Sequence, residues 1–203
     1  MSGIPFDNRS EQPRRGSGAG RTAERTAERK IVLVSGPPAA GKTTLATTVA
    51  AELGWPLISK DDIKEALVDA LMEAPTEPSD GLDWSRRAGG AAMAVLWRLA
   101  RRCPRAVLEA NFRSRSALER ERLHSLEATI VELHCACPPD ELVRRFAERA
   151  RTAHPAHPQR ALTTELIAEC SRPMAMGHVI DVDTAHPVDV PELMQQLAAL
   201  GVA

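Results

Sequence analysis

The sequence predicts a three-layer α/β fold, a parallel sheet with helices on both faces and a small lid. Three observations predict it. Short β-branched apolar runs alternate with helical stretches along most of the chain. One strand-to-helix break has the spacing of an anion-binding glycine loop, Gly36-Pro37-Pro38-Ala39-Ala40-Gly41-Lys42-Thr43. The 203 residues suit one domain that buries its own core, and the four cysteines show neither a CxxC pair nor a zinc-finger spacing.

The elements follow in order. Residues 1–29 read as a tail, rich in Gly, Ser, Pro and Arg and ending in the repeat TAERTAER, which has no apolar face to dock. The domain then occupies 30–203. Ile31 to Val34 fits a buried parallel strand, and Lys42 to Leu53 a helix. Pro56 to Ser59 is a strand. Asp61 to Met72 is a helix whose acidic first turn suits its positive end. Ala74 to Asp83 reads as loop and Trp84 to Arg102 as a long helix, weakened at Gly89-Gly90. Ala106 to Glu109 is a strand, Ser116 to Leu126 a helix and Thr129 to Cys135 a strand. Pro139 to Arg151 is a helix opened by its prolines. His154 to Pro158 is a loop, Leu162 to Ser171 a helix, Val179 to Val182 the last strand and Val190 to Leu200 the last helix. The lid is placed at about 145–162.

In such sheets ligands sit beyond the carboxyl ends of the strands, so the residues there carry the chemistry. The glycine loop fits G-x-x-x-x-G-K-[ST] between a strand and a helix, the context of a P-loop NTPase of nucleoside-kinase type. Its amides, at Gly36, Ala39, Ala40, Gly41 and on to Thr44, can turn toward phosphate oxygens. Lys42 can reach the β- and γ-phosphates, and Thr43 can offer its hydroxyl to Mg²⁺. This implies ATP and Mg²⁺ as cofactors.

After the second strand, Asp61 can take the proton of an acceptor hydroxyl, and Lys64 lies one turn on along the same helix face. The alternative is that Asp61 caps the helix and Asp62 complements its dipole. After the third strand, Glu109 can support the metal, with Asn111 and Arg113 facing the same cleft. The alternative is a strand-end Glu paired with an arginine. Arg145 and Arg149, four apart, share a helix face before the lid loop, where an arginine can neutralise the moving phosphoryl group. The alternative is a solvated face paired with Glu141 and Glu148. The loop after the last strand is placed near the adenine.

With these residues in place the chain resembles the P-loop kinases related to 5′-hydroxyl polynucleotide kinase, chloramphenicol phosphotransferase and zeta toxins, including bacterial AAA-type ATP-binding proteins. The resemblance spans about residues 30–200 and rests on SGPPAAGKTTLA, ISKDDIKEAL, VLEANFRSR and PPDELVRRFAERA. It implies Asp61 as general base, Lys64 as phosphate contact, and Arg145 and Arg149 as nucleotide and phosphate contacts. The family's usual Asp in the third-strand segment is Glu109 here.

Function is thus read as transfer of the γ-phosphate of ATP to a hydroxyl of a small-molecule acceptor. The alternatives are a polynucleotide 5′-hydroxyl kinase and a nucleotide-dependent ATPase switch. A net charge of −1 and only six aromatic residues, three Trp and three Phe, argue against a nucleic-acid partner. No apolar run or signal core points to a membrane, and a cytoplasmic location is expected. Asp61 to Asp83 holds eight acids and one Lys, whereas Trp84 to Arg122 holds ten Arg and three acids. Three readings stay open: an anionic acceptor gripped by Arg86, Arg87, Arg113 or Arg115, a cationic one held by the acids, or two helices that pair with each other. Trp84 and Trp97 are read as packing residues, His154 and His157 as lid surface, and Cys135 and Cys137 as core. Only four residues are Lys (Lys30, Lys42, Lys60 and Lys64) against 22 Arg, which hints that lysine is chemically required where it appears.

Overall fold

The protein is described here by a computed structural model covering residues 28–71, 81–158 and 162–202. Its strands are β1 (Arg29–Ser35), β2 (Leu57–Ser59), β3 (Arg105–Glu109), β4 (Ala128–Ala136) and β5 (His178–Asp183). Its helices are α1 (Lys42–Leu53), α2 (Lys60–Leu71), α3 (Gly81–Ala100), α4 (Ala117–His124), α5 (Pro139–Arg149), α6 (Thr164–Cys170) and α7 (Val190–Ala199). The strands form one parallel sheet in the order β2-β3-β1-β4-β5.

Strand alternation divides the core. Val32, Val34, Val107, Val131 and Leu133 pack on one face with Leu45 and Val49 of α1 and Leu193 and Leu197 of α7. Ile31, Leu33, Leu108 and Ile130 pack on the other with Leu96 and Trp97 of α3 and Leu123 of α4. Both faces of a covered parallel sheet are buried, so its strands read as continuous apolar runs. Trp97 packs 5.9 Å from the Phe112 ring, and Trp84 packs on the small cluster of Val68, Ala88 and Ala156. Both tryptophans are packing residues, as expected. Cys135 is fully buried and Cys137 packs against the same cluster.

Several element boundaries differ from expectation. β1 begins at Arg29, one residue inside the stretch read as tail; residues 1–27 of that stretch lie outside the described residues. α3 starts at Gly81 rather than Trp84, because Asp83 falls in its first turn, where the helix dipole favours a carboxylate, and buried Gly81 packs beside Pro158. The rest of the expected loop, 72–80, lies outside the described residues. α3 also runs unbroken through Gly89-Gly90, and Gly89 lies against the Lys60 side chain, which a methyl group there would just touch.

His154 and His157 are not free lid surface. His154 Nε2 lies 2.9 Å from Asp69 and His157 Nε2 lies 3.0 Å from Glu65, two acids four residues apart on α2. Ala156 between them is fully buried. The acidic face of α2 thus holds the loop down, a contact that local sequence does not display.

A buried polar cluster ties the sheet together. Glu132 on β4 is fully buried and accepts from Ser35 Oγ at 2.5 Å and from the backbone amides of Met174 and Ala175 at 2.8 and 2.9 Å. Ser35 Oγ also lies 2.9 Å from His134 Nδ1. Ser35 immediately precedes the glycine loop, so Glu132 anchors its root. Glu132→Leu leaves the buried Met174 amide and the Ala175 amide without an acceptor and takes one partner from Ser35, and the expected cost is about 3–5 kcal/mol, read as a shift in denaturant midpoint. A change within about 0.5 kcal/mol would show that the cluster is dispensable.

Candidate functional site

The glycine loop turns where β1 meets α1. Gly36 adopts φ 133° and a Cβ there would come within 2.7 Å of the Cys135 carbonyl oxygen, so only glycine fits at the loop's root. Ala39 and Gly41 also have positive φ, 66° and 81°. The amide of Ala40 donates to Pro37 O at 3.2 Å, and its methyl lies in the core. Gly36 and Ala40 therefore shape the loop, while Ala39, Gly41, Lys42, Thr43 and Thr44 line a cavity of about 190 Å³ above it. The buried Lys42 ammonium donates to the Pro37 carbonyl at 2.8 Å. Burial lowers its pKa, and the Glu109 carboxylate opposes that shift.

Residues from the carboxyl edge of the sheet and from α5 converge on this cavity. Asp61, Glu109, Asn111, Arg145 and Arg149 all line it. β2 passes into α2 without a loop, which sets Asp61 at the carboxyl edge of the sheet. The cap of α2 is Ser59, whose hydroxyl accepts from the Asp62 amide at 3.3 Å, so Asp61 is free of that duty. Asp61 Oδ1 instead accepts from Lys60 Nζ at 2.7 Å. Burial pushes the Asp61 carboxyl up, but the adjacent Lys60 outweighs this together with His157 and Lys42 and holds it at about 2. The Ser59 hydroxyl also donates to Glu109 Oε2 at 2.8 Å. Glu109 is 2% exposed; burial raises its pKa, with Lys42 pulling the other way. The longer arm of Glu109 is thus fixed by a hydrogen bond to the neighbouring strand.

Arg145 donates to Glu141 at 2.6 Å and to the Thr184 carbonyl at 3.0 Å, joining α5 to the loop after β5. It also borders a second cavity, about 320 Å³, with Thr48, His186 and Val188. Arg149 is exposed and makes no side-chain bond among the described residues, so it is free to engage an anion.

Asp61, Asn111 and Arg149 also border a third cavity, about 150 Å³, with Lys60, Lys64 and His157. Lys64 is 4% exposed and donates to Ser85 Oγ at 2.7 Å; Ser85 Oγ donates on to the Ala156 carbonyl at 3.0 Å. Burial lowers its pKa to about 8, helped by Lys60 and opposed by Asp61 and Glu65. Arg113 does not reach this cavity but lines the one beyond it. Asp61 therefore stands on the partition between a phosphate-sized cup and a neighbouring cleft.

Thr43, Asp61 and Glu109 supply three hard oxygen donors to the cup. Among the described residues no group of three His, Cys, Asp or Glu makes a metal cage by itself. One or two carboxylates completed by phosphate oxygens is the mode Mg²⁺ favours, so the donor set fits that ion.

Residues 31–173 match the AAA domain family, more than half of the chain. The chain belongs to that family. The AAA domain is 28% identical to a protein from Chloroflexus aurantiacus J-10-fl provisionally described as a kinase, with a TM-score of 0.68, covering 84% of this chain and 97% of that one. It shares its fold, at 20% identity, with a gluconokinase from Sinorhizobium meliloti 1021 (TM-score 0.52, covering 87% and 94%) and a shikimate kinase from Acinetobacter baumannii solved with shikimate (TM-score 0.51, covering 85% and 92%). No curated protein matches it in sequence. The fold of this AAA domain is the nucleoside-kinase-like P-loop fold. Among the described residues no helix is long and apolar enough to cross a membrane.

Sequence reasoning missed Lys60, Ser85 and His157 at the site. One signal pointed to the first: in an Arg-rich chain, three of the four lysines (Lys42, Lys60 and Lys64) border the two adjoining cavities. Ser85 and His157 arrive from α3 and the lid loop, through contacts that no local motif encodes.

Proposed function

We propose that the protein is an ATP- and Mg²⁺-dependent phosphotransferase that moves the γ-phosphoryl group to a hydroxyl of a small molecule. The observation that carries this reading is the position of Asp61, shared by the phosphate cup and the cleft beside it. In the proposed reaction the acceptor oxygen bonds to the γ-phosphorus as the bridging β–γ P–O bond breaks. ADP leaves with that electron pair, and the hydroxyl proton passes to Asp61 Oδ. Lys42 and the loop amides hold the phosphate tail, and Arg149 neutralises charge on the moving group. Arg145 and the cavity beside Thr48 and Val188 hold the base side of the nucleotide. Thr43 and Glu109 would hold Mg²⁺, which would supply further charge neutralisation on the phosphates.

The test is incubation with γ-labelled ATP and a panel of nucleosides, sugars, sugar acids, amino sugars and oligonucleotides. Label appearing in a small hydroxyl compound supports the reading. ATP hydrolysis indifferent to every acceptor, but stimulated by a protein partner, would replace it with a switch.

The pH profile follows from Lys64. With its pKa at about 8, the ammonium loses its proton just above neutral pH, whereas Asp61 at about 2 stays ionised throughout. Turnover is expected to fall by about tenfold per pH unit at most on the alkaline side, with ATP affinity flat. A profile flat to pH 10 would remove Lys64 from the reaction.

A further inference from the structure

We propose that the acceptor is an alcohol bearing a fixed negative charge, a carboxylate or a phosphate, held by Lys64, Arg86 and Arg113 in the cavity that opens beyond Asp61; this rests on the kinase reading above. That cavity measures about 500 Å³ and shares Lys60, Lys64, Ser85 and Asn111 with the cleft beside Asp61. The volume suits a small metabolite.

The charge inventory of its walls decides the class of ligand. Four cations line it, Lys60, Lys64, Arg86 and Arg113, against one carboxylate, Glu119. Glu119 is already engaged, accepting from the Arg113 backbone amide at 2.8 Å. Lys60 is neutralised by Asp61. Lys64 is not: its buried ammonium has the Ser85 hydroxyl as partner and no carboxylate within salt-bridge range among the described residues. Arg86, one turn from Gly89 on α3, has no side-chain hydrogen bond or ion pair among the described residues. Arg113 pairs with Glu169 through Nε alone at 3.3 Å, with both side chains half exposed, a pair easily exchanged for a better anion. A buried cation without a counter-charge is costly, and an incoming anion removes that cost. A cationic acceptor would meet three like charges, and a neutral one would leave Lys64 uncompensated. Arg87 and Arg115, also candidates from the sequence, line neither cavity.

The experiment uses the full chain with ATP and Mg²⁺ and matched acceptors. Glycerate and gluconate carry carboxylates, and glycerol 3-phosphate and ribose 5-phosphate carry phosphates. Glycerol, glucose and ribose are the neutral counterparts, and glucosamine is the cation. At least one anionic compound should raise ADP release about tenfold or more above the acceptor-free rate, and its neutral counterpart should not. Arg86→Gln and Arg113→Gln, both exposed positions, should raise KM for that compound about tenfold with kcat changed less than about threefold, while Arg87→Gln changes neither. Calorimetry of the same anions, with a non-hydrolysable ATP analogue filling the phosphate cup, gives a readout independent of turnover. Anion binding without transfer would keep the anion site and remove the kinase reading. Transfer to a neutral or amino sugar would keep the kinase and overturn the anionic acceptor. Label entering the 5′-hydroxyl of an oligonucleotide, or no small anion either bound or phosphorylated, would also overturn it.

Discussion

Asp61→Asn is expected to lower acceptor phosphorylation by about 10²-fold while ATP affinity changes by less than about threefold, the pattern of a group that acts on the acceptor rather than on the nucleotide. The substitution is nearly isosteric, and an amide oxygen can still accept from Lys60 Nζ, which now sits 2.7 Å from Oδ1. Local structure should therefore survive, since Ser59 and not Asp61 caps α2. What disappears is the anionic acceptor for the hydroxyl proton. A carboxyl held at about 2 is a weak base at neutral pH. Most of its effect then comes from orienting the hydroxyl and receiving the proton late, which places the loss at the low end of general-base effects. Single-turnover transfer and equilibrium nucleotide binding, measured on the same preparation, separate the two quantities. If both fall together, Asp61 is a structural member of the phosphate cup and the proposed chemistry loses its base.

Much of this site could be read from the sequence because its parts are local. The glycine loop declares itself through spacing, and α1 begins at Lys42 as that spacing requires. Asp61, Glu109 and Asn111 fall at strand ends, and a parallel sheet brings strand ends together whatever the intervening helices do. Arg145 and Arg149 share a face by helical period. What sequence could not show was pairing across elements. Ser59 reaches Glu109 across 50 residues and so fixes this buried carboxylate. His154 and His157 read as surface because their partners, Asp69 and Glu65, lie 85 and 92 residues away. The start of α3 at Gly81 likewise involves a distant partner, since Pro158 lies beside this buried glycine. Of the charge runs, the arginines proved divided, with Arg86 and Arg113 on a cavity wall and Arg87 and Arg115 off it.

Lys64→Met should make the protein more stable and less active at once. The ammonium is 4% exposed, and burial with Lys60 nearby drags its pKa down to about 8. The sign follows. Folding disfavours the charged form, so below pH 8 the native state carries the penalty of a buried cation, and the penalty fades as pH rises toward the ordinary lysine value. Methionine matches the length of the stem and removes the charge. Ser85 keeps its donated bond to the Ala156 carbonyl, and only a hydroxyl lone pair is left without a donor. A gain of about 2 kcal/mol at pH 7 is expected, shrinking toward zero near pH 10, because replacing a buried charge by an apolar side chain of similar volume is commonly stabilising. Acceptor phosphorylation should nonetheless fall by about 10²-fold, since the group that would meet the acceptor or the moving phosphoryl is gone. Denaturant midpoints at two pH values and transfer rates at pH 7 decide the matter. A destabilised variant would mean that Lys64 is held by an attractive network and is present for structure. A stabilised, inactive one would mark Lys64 as a residue retained against stability, which is the behaviour expected of a side chain whose counter-charge arrives with the ligand.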